Sequence, residues 1–75
     1  MKLSILVENR FGVLTQVTSF FSARGHSIES MIAVRCGNTD QSRITLDVDC
    51  PAATGGQVIQ QLHKLTNVIE AELNP

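Results

Sequence analysis

Glu8-Asn9-Arg10-Phe11-Gly12-Val13-Leu14 is the stretch in which the apolar period of this chain changes. Upstream, Leu3, Ile5 and Val7 alternate with Ser4 and Leu6, the period of a half-buried strand. Downstream, Val13, Leu14, Val17, Phe20 and Phe21 fall within an arc of about 120° at roughly 100° per residue, which is a helix with one apolar stripe. A strand therefore hands over to a helix within five residues. The first backbone N–H groups of a helix lack intrahelical partners and carry partial positive charge, so the junction can hold a small carboxylate. Asn9 offers an amide that both donates and accepts, and Gly12 removes the side chain that would keep a ligand off the backbone. The same two residues also suit a plain helix cap and a plain loop, and the spacing alone leaves both readings open.

Working outward, Gly25 stands where a left-handed residue would end the helix, and Arg24 can lay its stem over the core edge with its charge on the last carbonyls. Ser27 to Cys36 reads as a second strand, with Ile28, Ile32 and Val34 toward the helices and Glu29, Met31, Ala33 and Arg35 away from them. Gly37 to Gln41 supplies a hairpin turn, and Ser42 to Asp49 alternates cleanly, with Ile44, Leu46 and Val48 inward. Pro51 closes that strand. Val58, Ile59, Leu62 and Leu65 form the stripe of a second helix, with Thr54 as its cap. Asn67 to Leu73 returns to an extended period, placing Ile69, Ala71 and Leu73 on one side and Val68, Glu70 and Glu72 on the other. The order strand, helix, strand, strand, helix, strand predicts an α+β, ferredoxin-like βαββαβ fold: a four-stranded antiparallel sheet with two helices on one face.

Seventy-five residues suffice for one domain, here residues 1–75, and leave a thin stability margin that favours self-association. Six Lys plus Arg against seven Asp plus Glu give no basic excess, so nucleic acid is not an expected partner. Phe11, Phe20 and Phe21 are the only aromatics and do not provide a base-stacking platform on the central strands. The apolar runs are too short for a membrane span, and the reading is a soluble, cytoplasmic protein. Cys36 and Cys50 form no CxxC pair and no metal-ligand cluster, and are read as reduced, partly buried hydrophobes. His26 and His63 lie on separate elements, and Asp47 and Asp49 sit on a wet strand face, so no catalytic residue is assigned. An acylphosphatase-like use of Arg10 at the helix start would need an Asn beside that loop, and none is evident.

The run Leu3 to Glu8 followed by Asn9-Arg10-Phe11-Gly12-Val13-Leu14, then Phe21-Ser22-Ala23-Arg24-Gly25-His26-Ser27-Ile28-Glu29-Ser30, resembles the opening of an ACT domain. More narrowly, it resembles the small, regulatory subunit of acetolactate synthase, also called acetohydroxyacid synthase (AHAS). Ser42-Arg43-Ile44-Thr45 and Gln61-Leu62-His63-Lys64-Leu65, with Val68 after them, are similar to two further signatures of that family in the same order. The resemblance implies a homodimer joined through sheet edges, and a branched-chain amino acid (valine, leucine or isoleucine, valine first) bound between protomers. It also implies feedback control of a separate catalytic large subunit. No cofactor is implied for this chain, since thiamine diphosphate, flavin and magnesium belong to the large subunit. Combined with the reading of the residues, the effector site comprises Asn9, Phe11, Gly12, Val13 and Leu14. The N–H groups of Gly12, Val13 and Leu14 would meet the carboxylate, and the partner's Ser27 and Ile28 would face the ammonium. Phe11 stands where the family often has Pro or a small residue, Ser27 replaces a frequent Asn, and family members usually continue into a second domain. A different class of function is a pure interaction module without amino-acid sensing, docking through an outward patch of Leu6, Met31 and Thr45.

Overall fold

Alternation on the inner strands and a 3.6-residue stripe on each helix leave one arrangement that buries every apolar face at once, and the computed structural model, which describes residues 1–74, adopts it. Strand β1 (Lys2–Glu8) leads into helix α1 (Val13–Ala23), followed by β2 (Ser27–Arg35), β3 (Gln41–Asp49), a short 3-10 turn (Ala52–Thr54), helix α2 (Gly55–Leu62) and β4 (Val68–Leu73). The sheet order is β2-β3-β1-β4 and all three pairings are antiparallel, so the βαββαβ expectation holds. β2 and β4 are the edges.

The core lies between the sheet and the helices. Leu3, Ile5 and Val7 of β1, Ile44, Leu46 and Val48 of β3, and Val13, Val17, Phe20 and Phe21 of α1 are buried in one cluster with Val58 and Leu62 of α2. Phe20 and Phe21 meet edge to face, with ring centroids 5.0 Å apart. Burying a side chain of this size contributes about 1.5–3 kcal/mol. Among the described residues no helix is long and apolar enough to cross a membrane. Cys36 and Cys50 are both free thiols.

Two facings differ from the sequence expectation, and both differ for the same reason. In β2 the pairing shifts between Ile28, opposite Val48, and Ser30, opposite Asp47, leaving Glu29 as an extra residue in a bulge. One inserted residue reverses every later facing. Met31 and Ala33 therefore lie over Leu46 and Ile44 on the core side, whereas Ile32 and Val34, expected inward, are 62% and 59% exposed on the open face. In β4 the shift falls at Ile69: Val68 pairs with Val7 and is buried, Ala71 and Leu73 sit opposite Ile5 and Leu3, and Ile69 is partly exposed. At α2, Thr54 occupies the cap position but turns its hydroxyl back to the Pro51 carbonyl (2.7 Å), making no cap bond to the helix.

Candidate functional site

The junction read from the sequence is a turn built by Gly12. Its φ of 83° and ψ of 2° are left-handed, a conformation costly for any side chain-bearing residue, and α1 starts from it without a side-chain cap. Asn9 is thus not the helix cap. Its backbone N–H donates to the Asp40 carbonyl (2.6 Å) in the β2–β3 hairpin, while the Glu8 N–H donates to Asn67 O (2.8 Å) before β4. Those two bonds fix the loop against neighbouring loops and leave the Asn9 side chain exposed, with no hydrogen-bond partner among the described residues.

Of the three donors expected to hold a carboxylate, the Val13 N–H is committed to the turn itself, donating to Arg10 O at 3.1 Å. The Gly12 and Leu14 N–H groups meet no backbone acceptor among the described residues, and Thr15, which sequence reasoning did not single out, offers a third. The signal for Thr15 is its place in the first helical turn, since the first turn leaves its donors open whatever the side chain. A recess of about 300 Å³ is lined by residues 9–15. Leu14 edges it, and Phe11 projects wholly into solvent at its rim. Arg10 also lines the recess and adds positive charge where an anion would sit.

Ser27 and Ile28 are not brought to this recess within one chain. They pair with Asp49 and Val48 at one end of β3, whereas Glu8, which enters the loop, pairs with Gln41 at the other. Eight residues of strand separate the two ends by about 26 Å at about 3.3 Å per residue. Among the described residues no group of three or more His, Cys, Asp or Glu is arranged to hold a metal ion.

Comparison with known proteins adds to this geometry. A family model described as the AHAS small subunit-like ACT domain matches residues 3–70. The chain belongs to this ACT family. It is 43% identical over 68 residues to the acetolactate synthase small subunit of Mycolicibacterium smegmatis, covering 91% of this chain and 40% of that protein. It is 37% identical over 67 residues to the acetolactate synthase isozyme 3 small subunit of Escherichia coli, covering 89% of this chain and 41% of that protein. The fold superposes on a crystal structure of the acetolactate synthase small subunit from Thermotoga maritima with a TM-score of 0.87 at 29% identity, covering 99% of this chain and 47% of that one. This ACT chain thus spans less than half the length of each of these three relatives.

Proposed function

We propose that this ACT domain, residues 1–75 acting as one unit, is a regulatory module of acetolactate synthase. It binds a branched-chain amino acid, valine first, between two protomers and conveys its presence to a catalytic large subunit in the cytoplasm. The chain itself carries no catalysis in this reading. The observation that carries it is the open first turn of α1, at the end of the inner strand β1. The Gly12, Leu14 and Thr15 N–H groups converge with the positive end of the helix on one recess, a setting that favours a carboxylate.

Strand topology supports a second half of the site from a partner chain. β1 and β2 both run antiparallel to β3 and so parallel to each other, with Glu8 and Arg35 at the same end of the sheet. Pairing two chains through their free β2 edges about a two-fold axis sets the strands antiparallel. The partner's Ser27 and Ile28 then lie at the end where this protomer has Asn9 to Leu14. The two sets of residues that one chain keeps apart are complementary across a dimer. The partner's edge carbonyls accept from the ammonium, the Asn9 amide takes a second polar group, and Leu14 with Phe11 and the partner's Ile28 receives the aliphatic side chain. A ligand held by both protomers stabilises their pairing by about 2.7 kcal/mol at about a hundredfold its Kd, which is enough to bias a quaternary state.

Isothermal titration with valine, leucine and isoleucine tests the site. One of the three should bind, and Asn9→Ala should weaken it about tenfold, the loss expected for a hydrogen bond to a charged group. Absence of heat with all three would remove sensing and leave the interaction-module reading. That second reading has its own support in the open sheet face, with one change: Met31 packs on the core, so the outward apolar residues are Leu6, Ile32 and Val34.

A further inference from the structure

All seven Asp and Glu residues of this chain, Glu8, Glu29, Asp40, Asp47, Asp49, Glu70 and Glu72, lie on strands or in the β2–β3 turn. Residues 9–28 and 50–69, which include both helices and the loops around them, hold none, while they carry Arg10, Arg24 and Lys64. A chain of net charge −1 therefore has a helical layer of a single, positive sign. Between α1 and α2 runs an open groove of about 430 Å³ lined by Gln16, Ser19, Phe20, Arg24, Lys64 and their neighbours Gln61 and Leu65.

The hydrogen bonds around this groove leave it rich in donors. Arg24 Nε donates to Gln61 Oε1 (2.7 Å), and Asn67 Nδ2 donates to Gln16 Oε1 (3.3 Å). Both amide oxygens accept a bond, and neither NH₂ group donates to an acceptor among the described residues. Arg24 stacks on the Phe20 ring, 3.7 Å from the centroid, and its Nη1 reaches Phe20 O (3.0 Å), which fixes the guanidinium at the groove wall with further N–H groups to spare. Neither Arg24 nor Lys64 has a carboxylate partner among the described residues. Gln16 of α1 and Arg24, which caps its C-terminal end, are eight residues apart, about 12 Å along the helix axis. A single carboxylate or phosphate does not span that distance; acidic side chains spaced along a peptide do. Leu65, half-buried at the groove, gives such a peptide an apolar contact.

We propose that the α1–α2 groove docks an acidic segment of the catalytic large subunit, with an apolar side chain set against Leu65 and carboxylates on Arg24 and Lys64. This rests on the regulatory-subunit reading above and assigns it a surface distinct from the effector recess. The test titrates this chain against the large subunit encoded in the same genome, by calorimetry at low and high salt. The variant Ser19→Glu with Lys64→Glu leaves the Arg24–Phe20 stack in place, and Arg43→Glu on the opposite, open sheet face serves as the comparison. Wild-type affinity should fall with salt, the double variant should bind about tenfold or more weakly with unchanged thermal unfolding, and Arg43→Glu should bind as wild type. Equal binding by the double variant or weakening by Arg43→Glu alone would overturn the groove as the docking site while leaving the regulatory reading intact. Failure of the wild-type chain to bind the large subunit would overturn both.

Discussion

At its C-terminal end α1 is closed; at its N-terminal end it is open. The closing end uses three of its last carbonyls: Phe21 O accepts from the N–H groups of Arg24 (3.1 Å) and His26 (3.0 Å), Ser22 O from Gly25 (3.0 Å), and Phe20 O from the Arg24 side chain (3.0 Å). The opening end has no side-chain cap, and its first-turn donors face a recess. Both ends turn on a left-handed glycine, Gly12 at φ 83° and Gly25 at φ 75°, so backbone geometry does not separate them. What separates them is whether the polar groups so exposed are satisfied from within the chain. An end whose backbone groups are satisfied internally offers an outside ligand only side chains such as the Arg24 guanidinium, and an end left open offers the backbone itself.

On that distinction, the largest stability change comes from the closed end. Arg24→Ala removes the stack on Phe20, the bond to Phe20 O and the bond to Gln61, all at partly exposed sites. The expected cost is about 1–2 kcal/mol, a fall in Tm of about 5–10 °C for a domain of this size. Thermal unfolding followed by circular dichroism measures it. Valine affinity should not change, and a large loss of affinity would mean that the closed end takes part in binding.

The two glycines permit a matched comparison. A Cβ added at Gly12 or at Gly25 meets nothing within 4 Å, so Gly12→Ala and Gly25→Ala each carry only the conformational penalty, about 1 kcal/mol. Unfolding should report the same loss for both. Titration with valine should then part them: Gly12→Ala puts a methyl group where the ligand approaches the backbone, whereas Gly25→Ala lies at the far end of the helix. Equal affinity in the two variants would contradict a site at the opening of α1.

The same contrast governs how much of the molecule can be read in advance. The inner strands obey simple alternation, so Leu3, Ile5, Val7, Ile44, Leu46 and Val48 are legible as core from the sequence, as are both helical stripes. The edge strands are not, because each carries one bulge, at Glu29 and at Ile69, and apolar residues on both faces conceal the change of phase. Ile32 and Val34 look like better core residues than Met31 and Ala33, yet the inserted residue turns them outward. At the candidate site Gly12 is legible for its missing side chain, while its left-handed turn is seen only in the structure. The diversion of the Val13 N–H to Arg10 O is likewise not legible, since it follows from that turn rather than from residue type. The tie from Asn9 to Asp40 joins residues distant in sequence, and no local pattern encodes it.

The smallest energetic effect gives the most direct view of the open end. Phe11 is wholly exposed at the rim of the recess, so replacing it should move stability by no more than about 0.5 kcal/mol. The chain contains neither Trp nor Tyr, so Phe11→Trp introduces the sole indole against a dark background. In a solvated, isolated protomer its emission stays at the long wavelength of exposed indole. In a dimer that pairs β2 edges and encloses the recess, the partner's chain covers the ring. Emission should then shift to the blue as protein concentration rises, and further on adding valine, with both shifts lost at the same denaturant concentration that dissociates the pair. Dimerisation seen by sedimentation without any shift would place the recess away from the shared boundary, and the open end of α1 would then be open to solvent alone.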